Sequence, residues 1–112
     1  MIEYDKMTNA ELDRLAAEKV MDIDVFAFDN GWAYYCDAER ICLIPWNPIC
    51  KSDGNQEYQI VDKMIEDGWD FQLCYGADEW YAEFEKNLDI YSAENTNRSI
   101  AVVIAALKAA GG

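Results

Sequence analysis

The sequence predicts an α+β fold in which an antiparallel sheet is layered with helices. Two observations predict it: three segments have apolar residues at helical spacing, and segments rich in β-formers follow one another across short turns. Strands joined by short turns pair antiparallel, and each helix must bury its apolar face against another layer. The predicted order is α-β-β-β-α-β-β-α, in a single domain over residues 1–112.

The first predicted helix covers residues 8–21. Thr8 and Glu11 have the T-x-x-E spacing of a capping box, and Met7 and Leu12 have the spacing of a hydrophobic staple. We expect its buried face to contain Leu12, Leu15, Ala16 and Val20.

Three strands are predicted to follow, at residues 23–29, 32–36 and 41–45. The turn "DNG" at 29–31 joins the first two and "DAER" at 37–40 joins the next two. Pro45 is expected to end the third strand, because proline cannot donate a ladder hydrogen bond.

The second predicted helix covers residues 54–67, with Asp53 and Gln56 placed to cap it and Gly68 in a left-handed C-terminal cap. Its expected buried face is Tyr58, Val61, Met64 and Ile65. Strands at 69–75 and 79–85 follow, joined by "GAD", and then a loop or short edge segment at 87–95.

The last predicted helix covers residues 96–110. Its residues 100–107 are apolar all round, which indicates burial on most sides, either within the chain or against a second copy. A homo-oligomer formed through this C-terminal helix is therefore one expectation.

Four segments together resemble the phage ABA-sandwich domain family. "LDRLAAEKVMD" resembles its first helix, of the form LDxLVAEKVMGW, and "YQIVDKMIEDGWDFQL" resembles its second helix and following strand. "EWYAEF" is similar to its next strand, and "AENTNRSIAVVIAALKA" to its closing helix. The order and spacing of the four motifs hold over nearly the whole chain.

This resemblance implies helix–sheet–helix layering and a phage or prophage origin, and it supplies no catalytic residues. The chain departs from the family pattern at Asp22, where the family usually has Gly, and in residues 23–46, which are richer in strand-forming residues. The family's serine-rich loop is reduced here to "NPICKSDG".

Charge excludes several function classes. Nine basic and 22 acidic residues give a net charge of −13, which repels nucleic acid and anionic membranes. We therefore expect no direct DNA binding and no membrane partner, and a basic protein as the natural complement. The sequence has no signal-peptide pattern and no apolar run long enough to span a bilayer, so we expect a cytoplasmic protein, in the cytosol of an infected bacterial host.

Catalytic and metal chemistry have few candidate residues. The chain has no histidine, which removes Ser-His-Asp and Cys-His arrangements, and its four cysteines form no CxxC pair. The HExxH, GxGxxG and GxxxxGK[ST] patterns are absent. Carboxylate chemistry or a cysteine nucleophile remains. Asp22, Asp24 and Asp29 could meet near one end of the first hairpin and bind a hard cation. We expect no enzyme, no catalytic residue, no metal site and no cofactor.

The main functional hypothesis is an acidic surface that blocks the basic, nucleic-acid-binding site of a host protein, as anti-CRISPR-like counter-defence inhibitors do. Residues 52–97 carry twelve acidic side chains and two lysines. The alternative interpretation is that the charge only keeps the protein in solution. The candidate surface residues are Asp62, Glu66, Asp67, Asp70, Glu79, Glu83 and Glu85.

Two further functions stay open. One is a sponge that sequesters a cyclic nucleotide immune signal at a subunit interface, since arginines can bind phosphate and aromatic rings can stack on a base. The other is a structural or accessory oligomerisation module of a phage particle. The candidate sponge residues are Arg14, Arg40, Arg98, Trp32 and Trp46.

Overall fold

The computed structural model describes residues 3–21, 27–29, 32–36, 43–46 and 54–111. Its helices are α1 (Asn9–Leu15), α2 (Gly54–Glu66) and α3 (Arg98–Ala109). Its strands are β1 (Ala27–Asp29), β2 (Trp32–Cys36), β3 (Leu43–Trp46), β4 (Asp70–Gly76), β5 (Glu79–Lys86) and β6 (Asp89–Asn95). The predicted layered α+β fold with antiparallel strand pairing is confirmed, although the described strands form two sheets where one was predicted.

The strands form two antiparallel three-stranded sheets, with orders β1-β2-β3 and β4-β5-β6. The sixth strand adds to the predicted order. Residues 87–95 were expected to be a loop or short edge segment, and the structure has an edge strand there, β6, of seven residues. β6 pairs with β5 along its whole length, from Trp80 opposite Asn95 to Lys86 opposite Asp89. Short polar residues lower the β-propensity of this segment, and pairing along β5 overrides it.

The first sheet corrects a smaller expectation, at Pro45. This residue lies inside β3, opposite Tyr34 of β2, and does not end the strand. β3 is at the edge of its sheet, where proline is tolerated since one side of an edge strand makes no ladder bonds. The predicted strand residues 23–26 and the turn 37–40 lie outside the described residues.

Thr8 caps the start of α1 as predicted, but the Glu11 carboxylate accepts from the Thr8 hydroxyl, whereas a capping box uses the Thr8 backbone N–H. The Thr8 hydroxyl accepts a hydrogen bond from the Glu11 backbone N–H at 3.1 Å, and the Thr8 hydroxyl also donates to the Glu11 carboxylate at 3.1 Å. Leu12 is buried, and Met7 packs against the same core. The helix continues as a π-helical turn over Ala16–Val20, closed by a hydrogen bond from the Met21 N–H to the Ala16 carbonyl.

The predicted C-terminal cap of α2 is also present. Gly68 has a φ of +98°, its N–H donates to the Ile65 carbonyl, and the Trp69 N–H donates to the Met64 carbonyl. This pair of bonds is a Schellman motif, which turns the chain directly into β4. The Asp53 part of the predicted N-terminal cap lies outside the described residues.

The buried face of α2 is rotated from its predicted position. Ile60 and Met64 are buried and Val61 is half-buried, but Tyr58 and Ile65 are exposed. The inward positions at the start of the helix are instead polar: Gln56 and Glu57. The polar contacts of Glu57 explain this rotation and are described below.

The core is built around α3. Residues 101–107 are all buried, and α3 contacts β5, β6, α2, α1 and the π-helical turn. The chain itself therefore covers this apolar helix. Oligomerisation through α3 is not needed to bury these residues, and it stays an untested prediction. No helix in the described part of the chain is long and apolar enough to cross a membrane.

Candidate functional site

The β4-β5-β6 sheet has two chemically different faces. Side chains alternate between faces along a strand, so the strand register assigns each residue to one of them. Ala82, Phe84 and Ala93 lie on the inner face and belong to the core with α3. The outer face, here called the acidic sheet face, carries Asp70, Gln72, Cys74, Glu79, Tyr81, Glu83, Glu85, Ile90, Ser92 and Glu94.

Every residue of the acidic sheet face is exposed or half-buried. Five of its residues are carboxylates, and none is lysine or arginine. Asp70 lies directly opposite Glu85 on the neighbouring strand. Like charges directly opposite each other destabilise a sheet, so this face lowers the stability of the isolated chain.

Two lysines near this sheet donate to backbone carbonyls and not to the carboxylates of the acidic sheet face. The Lys86 Nζ donates to the Asp67 carbonyl at 2.7 Å and lies 5.6 Å from the centroid of the Trp69 ring. The Lys108 Nζ donates to the Ser92 carbonyl at 2.9 Å. Among the described residues, the carboxylates of this face have no salt bridge within 4.0 Å.

Tyr81 lies at the centre of the acidic sheet face. Its hydroxyl donates to the Glu83 carboxylate at 2.6 Å. This hydrogen bond raises the pKa of Tyr81 above 10.0, and burial and the charges of Glu83 and Glu94 add to the rise, while a hydrogen bond with Ser92 opposes it. The phenol therefore stays protonated and holds the Glu83 carboxylate in position.

The predicted acidic surface divides into two parts. Asp70, Glu79, Glu83 and Glu85 share the acidic sheet face, which also includes Glu94, a residue of the segment predicted to be a loop or short edge segment. The other three predicted residues are exposed on the α2 side, where the Lys63 Nζ lies 3.7 Å from the Asp67 carboxylate. They are Asp62, Glu66 and Asp67.

The two described arginines among the sponge candidates have different contacts. The Arg14 Nε lies 3.0 Å from the Glu18 carboxylate on the exposed side of α1, which is a scaffold contact. Arg98 lies at the first turn of α3, with its guanidinium carbon 5.7 Å from the centroid of the Trp80 ring. Arg40 and the side chains of Trp32 and Trp46 lie outside the described residues.

Arg98 belongs to a polar cluster that sequence reasoning missed. Glu57 of α2 is buried and accepts a hydrogen bond from the Ser99 hydroxyl at 2.6 Å and from the Arg98 Nε at 3.0 Å. Both donors lie in the first turn of α3, where the helix dipole also favours a negative charge. One feature of the sequence could have indicated this cluster: Glu57 lies one helical turn before Ile60, which places a carboxylate on the buried face of α2.

A depression of about 320 Å³ lies at the end of the sheet near the β4–β5 turn. Glu79 and Glu94 are among its lining residues, and their carboxylates disfavour an anionic ligand. Tyr75 and Trp80 also contribute to its lining, and their ring centroids lie 4.9 Å apart. Within the described ranges, no group of three or more His, Cys, Asp or Glu could hold a metal ion.

Comparison with known proteins shows the fold. The chain matches a solved structure described as a phage protein from Bacillus cereus ATCC 14579, with a TM-score of 0.71 and 12% identity, over 96% of each chain. No protein-family model matches the sequence, and no curated protein does. Kinship with the phage ABA-sandwich family therefore stays a prediction.

Replacing Glu57 by Gln tests the polar cluster. We expect a loss of about 1–3 kcal/mol in the free energy of unfolding, because Gln cannot provide the charged acceptor for Ser99 and Arg98. Urea denaturation followed by circular dichroism measures the change. Glu66→Gln, on the exposed side of the same helix, is the control and should change stability by less than about 0.5 kcal/mol. Equal effects of the two variants would contradict this role of Glu57.

Replacing Glu83 by Gln tests the Tyr81 hydrogen bond. The pKa of Tyr81 should fall towards its ordinary value, and a pH titration of ¹³C-labelled tyrosine by NMR measures it. Because the folded pKa is the higher one, this contact stabilises the fold fully below pH 10.0 and less as pH rises through the folded pKa. Glu79→Gln should leave the Tyr81 pKa unchanged, and an unchanged pKa in Glu83→Gln would contradict the account.

Proposed function

We propose that this protein is a non-enzymatic, phage-encoded binding protein whose acidic sheet face occupies the basic, nucleic-acid-binding site of a host protein. The observation that carries the proposal is the separation of charge on one sheet. Its inner face is apolar and covered by α3, whereas its outer face presents five carboxylates and no lysine or arginine.

An outer face of this kind lowers the stability of the free protein. Carboxylates placed opposite each other, such as Asp70 and Glu85, reduce stability in the free protein. A basic partner removes that repulsion on binding and is attracted over long range, so association is fast and sensitive to salt. Solubility alone requires charge spread over the surface, without the exclusion of lysine and arginine from one sheet face.

The phage origin is supported by the fold shared with the Bacillus cereus phage protein. It is also supported by the motif resemblance over most of the chain. A small phage-encoded protein with an acidic face acts in the cytosol of the infected bacterium, where basic nucleic-acid-binding proteins of host defence are its targets. The counter-defence role rests on this charge complementarity.

A pull-down from host lysate with two matched triple variants tests the proposal. The sheet variant Glu79→Gln/Glu85→Gln/Glu94→Gln and the α2 variant Asp62→Asn/Glu66→Gln/Asp67→Asn each remove three carboxylates. We expect a basic partner that is captured at low salt and released near 1 M salt, where screening shortens to about 3 Å. Its affinity should fall about tenfold or more in the sheet variant and little in the α2 variant.

The contrary results are equally specific. Capture that is independent of salt, or equal loss in both triple variants, would contradict an acidic sheet face as the binding surface. A loss confined to the α2 variant would move the binding surface to Asp62, Glu66 and Asp67. Circular dichroism of both variants provides the control for folding.

A second function, the nucleotide sponge, is favoured by one specific arrangement. The Trp80 ring centroid lies 4.9 Å from that of Tyr75 and 5.7 Å from the Arg98 guanidinium carbon, and Tyr75 is 59% exposed. Rings next to an arginine at a helix N-terminus suit a base and a phosphate. The Arg98 charge is already balanced by Glu57, which weakens this candidate.

Calorimetry with a panel of cyclic dinucleotides and cyclic ADP-ribose isomers tests the sponge. Binding that is lost in Trp80→Ala and reduced by Arg98→Gln would support it, because these variants remove the ring and the cation. Silent titrations across the whole panel would remove it as a candidate.

A further inference from the structure

Leu88 is in an unusual position at the tip of the β5–β6 hairpin. The two turn residues Asn87 and Leu88 have φ angles of +51° and +74°, as in a type I′ turn. Such turns favour Asn followed by Gly, and a bulky residue in the left-handed region is a strained exception. The Leu88 side chain is also 91% exposed, so burial in the chain does not explain its presence.

The tip of this hairpin adjoins the acidic sheet face. Ile90, which is 56% exposed, lies on that face opposite Glu85, and Glu85 lies opposite Asp70. Ile90 therefore lies at one end of the face next to two of its carboxylates, and the exposed Leu88 lies two residues away along the chain, at the hairpin tip. The opposite hairpin tip, Ala77 and Asp78, has the same left-handed turn with no large apolar residue.

We propose that Leu88, with Ile90 beside it, is the apolar anchor by which the acidic sheet face holds its partner. This inference rests on the proposed function and deepens it. The matching partner surface is a Lys/Arg-rich protein segment with an aliphatic side chain at its centre, so that the cations meet Asp70 and Glu85 while the aliphatic group packs on Leu88.

Charge and apolar contact have different parts in this arrangement. Carboxylates at the rim of an interface mainly accelerate and orient association, because solvent screens them. A buried aliphatic contact at the end of the face adds short-range affinity and slows dissociation. The anchor is kept in spite of the backbone strain at φ +74°, which glycine would relieve.

Substituting Leu88 by Gly separates strain from binding, because the two effects have opposite signs. The ¹⁵N-labelled full chain is titrated with two synthetic Lys/Arg-rich peptides that differ only in a central Leu or Ser. We expect the wild type to bind the Leu peptide about threefold or more tighter, with amide shifts centred on residues 88–90. Leu88→Gly should lose that preference while its Tm rises by about 2–5 °C.

Two further variants keep the test decisive. Leu88→Asn, whose side chain tolerates the left-handed conformation, should also lose the preference in a folded protein. Ala77→Gly relieves a φ of +52° at the opposite tip and should keep the preference. A preference that survives both Leu88 variants, or amide shifts centred elsewhere, would overturn the anchor.

The same titrations distinguish failure of the anchor from failure of the proposed function. In one outcome, the sheet variant Glu79→Gln/Glu85→Gln/Glu94→Gln loses affinity for both peptides while Leu88→Gly behaves as wild type. This result would support the acidic sheet face as the binding surface and contradict the anchor. If the sheet variant binds both peptides as wild type does, the proposed function falls and the anchor falls with it.

Discussion

The complete burial of residues 101–107 of α3 is the constraint on which the rest of this structure depends. Residues 101–107 expose almost no surface, so every side of the helix must be covered by another element. The alanines at 101, 105 and 106 let neighbouring elements approach closely, and Val102, Val103, Ile104 and Leu107 fill the remaining space. Only polar groups at the first turn interrupt this packing, where Ser99 and Arg98 meet the Glu57 carboxylate.

This constraint also shapes the candidate functional surface. Because β5 and β6 cover α3 with their inner residues, the outer residues of the same strands are released from any role in the core. The acidic sheet face can therefore collect carboxylates at a modest cost in stability, which the enclosed helix offsets. β5 contributes to both the core and the candidate binding surface, because Ala82 and Phe84 point inwards and Glu83 and Glu85 point outwards.

Sequence patterns predicted the elements well where local chemistry decides the structure. The Thr8 cap, the Gly68 cap and the alternation of β4 and β5 each follow from residues within a few positions of one another. Sequence patterns predicted less well where contacts between distant residues determine the structure. The face of α2 is rotated towards Gln56 and Glu57, since Glu57 binds two residues of α3 that lie more than forty positions away.

In the candidate site too, local patterns predicted some features and tertiary contacts determined the others. The carboxylates of β5 were predicted to lie together because alternation places them on one face. Their neighbour Glu94 was missed, because the prediction of a loop or short edge segment gave it no strand register. The pairing of Trp80 with Arg98 and the exposed Leu88 depend on tertiary placement, which no local pattern in the sequence contains.

Hydrogen–deuterium exchange of α3, measured at two protein concentrations, tests the enclosure of this helix most directly. The account predicts that the amides of residues 101–107 exchange among the slowest in the chain, through global unfolding, and at a rate that does not change on dilution. Rapid exchange in this segment, or protection that is lost when the protein is diluted, would contradict it, because a second copy would then be covering the helix.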